Sequence, residues 1–329
     1  MIISKTPYRI SFFGGGSDYP TWYLKNGGSV ISTTINKYIY ITCRDLPPFF
    51  SHKHRFVWSK DETVKEAKHI KHIVVREMIK YFKIKSGLEI HYDGDLPARS
   101  GMGSSSVFVV GLMNTFNNYR GKKISKKILA ESSIRFEQKI LKEAVGSQDQ
   151  VAVTYGGFNK IIFRPGGNFY VKPIKLKKKV MLQLNKNLLL VYTGLKRTAH
   201  QIAKEYVNKL EGVKRSHILE ILNFVNEGEI ALKNGNLNNF GELLNESWLA
   251  KKGLSPTISN HKIDEIYNFA IKKGALGGKL LGAGGGGFFL FYVPQSKKSN
   301  FIKNFKKFVT IPFKFTYEGR KILYNSKRD

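Results

Sequence analysis

The chain has 329 residues, a formal net charge of +31, 42% hydrophobic residues and 13% aromatic residues. Apolar content of that size excludes a disordered chain, and the length suffices for one large domain or two ordinary ones. No apolar run reaches the ~18–20 residues needed to span a bilayer, and a single cysteine, Cys43, excludes an internal disulfide and a cysteine-based zinc site.

Residues 2–3, 8–13, 29–34 and 38–42 read as strands separated by glycine turns. Cys43 follows the last of them, where a small buried hydrophobe is expected. Residues 61–82 carry Val64, Ile70, Val74 and Met78 near helical spacing and predict an amphipathic helix. The run 87–92 alternates apolar and polar residues as a strand does. A second helix is predicted over 125–144; Gly146 breaks it, and residues 148–157 lead into a strand pair ending at 171. Pro173 and the lysines up to Lys179 mark the predicted seam, dividing the chain into residues 1–180 and 181–329. Beyond it come a strand at 187–192 and helices at 200–210, 216–233, 237–250 and 261–273. A glycine motif at 277–287 then joins a helix to the strand 288–293. In the basic stretch 297–307, Phe301, Phe305 and Phe308 recur at helical spacing, so a helix burying its aromatics and solvating its lysines is expected. Strands mixed with helices in no regular alternation argue for an α+β fold.

The most informative segment is Asp95-Leu-Pro-Ala-Arg-Ser-Gly-Met-Gly-Ser-Ser-Ser-Val107, a turn between the strand at 87–92 and a helix-compatible stretch at 107–116. Gly101 and Gly103 let backbone approach a ligand, and the free N–H groups and positive dipole end of a helix favour an anion. Ser104, Ser105 and Ser106 can cap the helix, touch phosphate oxygens or ligate a hard cation. A plain capped helix is the alternative, since no Walker lysine is present.

The excess lysine is spread over many segments, which reads as a solvated basic surface. A nucleic-acid-binding protein is the rival from another class, and it requires steeply salt-dependent binding. The opening residues show no charged stretch followed by an apolar core, so no secretory signal is expected and the cytoplasm is the default compartment.

Two further segments extend the pattern: Lys5-Thr-Pro-Tyr-Arg-Ile-Ser-Phe-Phe-Gly-Gly-Gly-Ser-Asp-Tyr-Pro20, and Gly277-Gly-Lys-Leu-Leu-Gly-Ala-Gly-Gly-Gly-Gly-Phe288. With the central turn they give three glycine-rich motifs in an order that resembles the GHMP kinases. The resemblance implies a two-domain fold: a ribosomal-protein-like N-terminal domain that binds nucleotide and a ferredoxin-like C-terminal domain that completes the substrate site. It implies ATP and Mg2+ as cofactors. The turn Arg99, Ser100, Gly101, Met102, Gly103, Ser104, Ser105, Ser106 would wrap the phosphates, and Ser105 would ligate the metal. Glu137, twelve positions before Asp149 as in galactokinases, would be the second metal ligand, with Glu131 and Glu143 as local competitors. Asp149, in Gly146-Ser-Gln-Asp-Gln, resembles the catalytic aspartate, as a full base or as a positioning group. Arg9 corresponds to the basic residue of the first motif. Asp18 matches a sugar-gripping aspartate, flanked by Gly15, Gly16 and Ser17 where galactokinase has two sugar-contacting side chains.

That variant, with the segments around residues 192–199 and 251–256, is similar to the D-glycero-D-manno-heptose 7-phosphate kinase branch, with fucokinase as a near relative. The expected reaction is phosphorylation of the anomeric hydroxyl to give heptose 1,7-bisphosphate, for GDP-heptose and surface polysaccharide. Lys196, Arg197 and Lys252 would hold the 7-phosphate. The expected partners are therefore a sugar phosphate and ATP, with no nucleic acid and no membrane; a homodimer is compatible with the sequence. His52 and His54 are candidates for the neighbourhood of the adenine.

Overall fold

The computed structural model describes residues 1–195 and 199–326. The chain opens with the strand β1 (Ile2–Phe13), helix α1 (Pro20–Asn26) and the long strand β2 (Gly28–Asp45). Then come β3 (His54–Val57), β4 (Asp61–Val64), α2 (Ile73–Tyr81), β5 (Leu88–Gly94) and α3 (Ser104–Tyr119). Helix α4 (Lys126–Arg135) runs into a turn of π-helix (Phe136–Ile140), followed by α5 (Gln148–Tyr155), β6 (Phe158–Phe163), β7 (Phe169–Pro173) and α6 (Lys178–Asn187). The second half holds β8 (Leu188–Tyr192), α7 (Ala199–Val207), α8 (Arg215–Asn234), α9 (Leu237–Lys252) and α10 (His261–Lys272). It ends with β9 (Gly277–Leu280), β10 (Phe288–Tyr292), α11 (Gln295–Asn304), β11 (Thr310–Ile311), β12 (Phe315–Thr316) and β13 (Lys321–Asn325).

The larger sheet has nine strands with the path β13-β1-β2-β5-β3-β4; β12 and β6 also pair with β2, and β7 with β6. Its pairings are antiparallel apart from β3 with β5. The smaller sheet is an antiparallel four-stranded one, β11-β8-β10-β9. From Thr6 onward every residue of β1 is buried, because α3 packs on one side of it and helices α8 and α9 also reach it. That explains a strand with no polar face. Helix α3 buries residues all round its circumference, so it is the central helix of the first layer.

Several expectations need correcting. The separate strands at 2–3 and 8–13 are one strand, as are those at 29–34 and 38–42. The helix predicted over 61–82 is confined to Ile73–Tyr81, while Asp61–Val64 pairs as a strand with β3; its apolar residues satisfied two periodicities at once. The last glycine motif joins two strands, since Gly277–Leu280 is itself paired with β10. Residues 148–155 form a helix and not an approach to a strand. Helices α1 and α6 were not anticipated. The chain after Ile311 crosses back and adds β12 and β13 to the larger sheet, a return that the seam near residue 180 did not foresee. Phe301 in α11 and Phe305 just after it are fully buried and stack at 4.2 Å, as the aromatic spacing required. Among the described residues no helix is long and apolar enough to cross a membrane.

Candidate active site

The turn between β5 and α3 has an unusual backbone: Arg99, Gly101 and Gly103 all have positive φ, at 59°, 80° and 75°. A non-glycine residue held there is strained, and strain of that kind gathers at ligand-binding turns. No side chain caps the N-terminus of α3, whose cap position is Gly103 itself; the plain-capping alternative for the serines therefore does not describe this helix. Ser104, Ser105 and Ser106 border a cavity of about 620 Å3 together with Arg99, Gly101 and Gly103. Ser100 and Met102 of the same turn do not; both are buried behind it.

Two glycines fix how close this turn sits to its surroundings. A Cβ at Gly103 would lie 2.8 Å from Oδ2 of Asp149 and 3.2 Å from the Arg9 guanidinium carbon. A Cβ at Gly287, where φ is +103°, would lie 2.2 Å from the Ser100 carbonyl oxygen. The neighbouring Phe288 N–H donates to that same oxygen at 3.0 Å. The third glycine motif thus braces the turn from behind, backbone against backbone.

Arg9 and Asp149, 140 positions apart, form a two-pronged ion pair: Nε donates to Oδ1 at 2.6 Å and Nη2 to Oδ2 at 2.7 Å. Nη1 donates to the Gly101 carbonyl at 3.0 Å, so one guanidinium links the carboxylate to the turn. Pro7 helps to aim Arg9: the β1–β2 register shifts between Pro7 and Arg9, where proline lacks the N–H that a ladder needs. Asp149 lies in the first turn of α5. Asp18 is buried and accepts from the N–H groups of Gly16 at 3.0 Å and Gln148 at 3.2 Å. Burial pushes its carboxyl above the usual range, those backbone donors oppose the shift, and the charge of Asp149 adds to it. Gly15 and Gly16 border the cavity; Ser17 instead ties the turn together by donating to the Gly14 and Ser29 carbonyls.

Glu137 is fully buried on the π-helical turn, next to the equally buried Phe136. An extra residue in one helical turn lets two consecutive side chains point inward, a device common at functional sites. Its carboxylate accepts from Ser106 Oγ at 3.1 Å and Gln150 Nε2 at 2.5 Å. Burial pushes its pKa up to about 8, with the charge of Glu143 adding to the effect. Both of these donors are neutral, and hard carboxylate oxygens are what Mg2+ prefers, although Glu137 itself lies behind Ser106 and does not border the cavity. The resemblance nominated Ser105 as the partner hydroxyl; here Ser106 contacts Glu137, while Ser105 is exposed on the cavity wall. Glu131, exposed and 3.9 Å from Lys127, does not border the cavity, whereas Glu143 does.

The far end of the cavity is aromatic. Phe56 and Trp58 stack at 6.2 Å and 14°, His72 meets both edge-on, and Phe108 and Tyr92 complete the group. Burial lowers the His72 pKa, so the ring is neutral at physiological pH. His52 and His54 do not border the cavity; the histidine that does is His72.

Lys252 also departs from expectation. Its Nζ is 3.1 Å from Asp264 Oδ1 and it does not border the cavity, whereas its neighbour Lys251 does. One residue of helical rotation turns the two lysines to different faces. Lys196 and Arg197 lie outside the described residues. Sequence reasoning missed Lys279, 4% exposed on β9, which borders the cavity and donates to the Phe12 carbonyl at 2.6 Å. Burial and the nearby Arg9 lower its pKa to about 7, opposed by Asp18. The signal was present, since Lys279 is the one charged residue in the segment 277–287.

Comparison with known proteins matches residues 67–157 to the family model for the GHMP kinases N terminal domain and residues 229–310 to that for the GHMP kinases C terminal. The D-glycero-alpha-D-manno-heptose 7-phosphate kinase of Campylobacter jejuni is 30% identical over 97% of this chain and 98% of that protein. A bifunctional fucokinase/GDP-fucose pyrophosphorylase of Arabidopsis thaliana is 27% identical over 89% of this chain, but over 30% of its own length. Among solved structures, a D-glycero-D-manno-heptose 1-phosphate kinase from Bacteriodes thetaiotaomicron superposes with a TM-score of 0.78 at 24% identity, covering 99% of both chains.

Proposed function

The chain belongs to the GHMP kinases, and from that premise we propose that it transfers the γ-phosphoryl group of ATP to the anomeric hydroxyl of D-glycero-D-manno-heptose 7-phosphate. The observation that carries this reading is the Arg9–Asp149 pair, held against the turn at Gly101 and Gly103 and on the same cavity as Asp18. Such a cavity offers an anion-binding turn at one side and a hydroxyl-binding carboxylate at the other, with a proton acceptor between them.

In this reading the triphosphate lies along Arg99–Ser106, against backbone N–H groups and the positive end of α3. The base sits among Phe56, Trp58 and His72, whose apolar faces suit a purine. The anomeric oxygen faces Asp149. As its bond to the γ-phosphorus forms and the bond to the ADP oxygen breaks, the hydroxyl proton passes to the Asp149 carboxylate. Arg9 holds both Asp149 oxygens in place and adds positive charge where the attacking oxygen becomes anionic. Mg2+, held by Glu137 and the serine hydroxyls at 105 and 106, would supply charge neutralisation for the phosphates. Lys196 and Arg197 are the candidate cations for the 7-phosphate; Lys251 borders the cavity with its Nζ donating to the carbonyls of Leu280, at 3.0 Å, and Gly282. Residues 1–180 carry the nucleotide side of the site, and residues 181–329 complete it through Tyr206, Lys251, Lys279 and Gly282.

The test is an ADP-release assay with purified protein over heptose 7-phosphate, heptose 1-phosphate, L-fucose and galactose, with the product position read by phosphorus NMR. Preference for the 7-phosphate with phosphate arriving at carbon 1 is expected. Equal or better turnover of an unphosphorylated sugar defeats the assignment.

A further inference from the structure

Lys279 is a buried charge without an evident structural task. It stands on β9 at 4% exposure, close enough to Arg9 and Asp18 for both charges to act on it. Its hydrogen-bond partner among the described residues is the Phe12 carbonyl. An ammonium has three donors, so two remain for something that enters the cavity it borders. Satisfying one carbonyl does not require a lysine there, and the next two residues, Leu280 and Leu281, are both fully buried. Placing an ammonium among such neighbours is unfavourable for folding unless a ligand uses it. Asp18 faces the same cavity with acceptor capacity beyond its two backbone donors. A donor and an acceptor on the wall of one cavity, near enough for the Asp18 charge to act on Lys279, match separate hydroxyls of a sugar ring. A phosphate dianion would be repelled by Asp18, so the distal phosphate is the poorer occupant.

Resting on the sugar-kinase reading above, we propose that Lys279 is a substrate-positioning residue: its ammonium donates to a ring-hydroxyl oxygen of the acceptor sugar, while Asp18 accepts from a second hydroxyl. Together they orient the ring so that the anomeric oxygen meets Asp149. The pocket's hydroxyl specificity would then come from both halves of the chain, Asp18 from the first motif and Lys279 from the last.

The experiment is Lys279→Met, close in length and apolar, with wild type assayed first on heptose 7-phosphate. Should wild type not turn over any sugar or sugar phosphate, the functional reading itself fails, separately from this inference. With an active wild type, the expected result is a rise of about tenfold or more in the KM for the sugar. The KM for ATP should stay within about twofold, and Tm should be unchanged or higher, because a buried ammonium that its surroundings disfavour has been removed. Lys279→Gln keeps a neutral donor and should fall between wild type and Met, which preserves the test if the Met variant folds poorly. An unchanged sugar KM in both variants overturns the proposal. So does a fall in Tm with both KM values rising together, which is the signature of a structural lysine.

Discussion

Asp149 and Arg9 depend on each other: the carboxylate receives two guanidinium N–H groups, and the guanidinium is pinned to the Gly101 carbonyl. Asp149→Asn keeps the shape and removes the proton acceptor. Its kcat is expected to fall by roughly 10²- to 10⁴-fold, with nucleotide affinity near that of wild type; steady-state kinetics beside nucleotide titration checks both, and an unchanged kcat would remove Asp149 from the chemistry. Glu137 makes a different prediction. With its pKa pushed from 4.5 to about 8, the folded metal-free protein holds a proton that the unfolded chain gives up between those values. Its contribution to stability is complete below pH 4.5 and is lost as pH rises through 8, by on the order of a few kcal/mol at most. The Tm of metal-free protein should therefore fall between pH 5 and 8. Glu137→Gln, which mimics the protonated acid, should flatten that slope; parallel decline in both proteins would show that other groups set it.

At the scale of elements, the turn at 99–106 keeps its shape because the third glycine motif lies directly behind it. Gly287→Ala would drive a Cβ to 2.2 Å from the Ser100 carbonyl, backbone against backbone, at a positive φ. Since neither side can yield, we expect a loss of stability of several kcal/mol and a raised KM for ATP. Gly166→Ala has a positive φ too, but its Cβ would meet open space, so it should lose about 1 kcal/mol and leave kinetics untouched. Equal effects in the two variants, by thermal melts and ATP titration, would contradict the bracing role. Helix α7 belongs to the same scale. Glu205 accepts from Ser255 at 2.7 Å and Thr257 at 2.6 Å, and Thr21 donates to the Val207 carbonyl at 3.0 Å. Those bonds anchor the helix that carries Tyr206 to the cavity wall.

For the whole molecule, the two sheets are not consecutive in the chain. Strands β12 and β13 leave the second half and complete the larger sheet on β2 and β1. A chain ending after Ile311 should consequently expose the edge of β1 and lose order in its N-terminal half, although every glycine motif is retained. Circular dichroism melts would show a broadened, lower transition; an unaltered melt would mean that these strands are accessory. The net charge of +31 also acts on the whole molecule. Screening should lower kcat/KM for a phosphorylated acceptor more steeply than for a neutral sugar as salt rises.

The sequence alone carried the three glycine motifs by which the chain resembles its family, because a backbone that must pass close to other atoms needs glycine wherever it is folded. The resemblance those motifs carry is what singled out Arg9, Asp18, Glu137 and Asp149, and the fold brings Arg9, Asp18 and Asp149 to one cavity. Helix α10 was legible from its periodicity, and the burial of Phe301 and Phe305 from their spacing. Partnership was not legible. Which serine meets Glu137, which of Lys251 and Lys252 turns to the cavity, that His72 and not His54 borders it, and that Lys279 and Asp18 share one cavity are all set by contacts between segments far apart in the chain. Burial and helix phase decide such matters, and a one-residue difference in phase sends a side chain to another face.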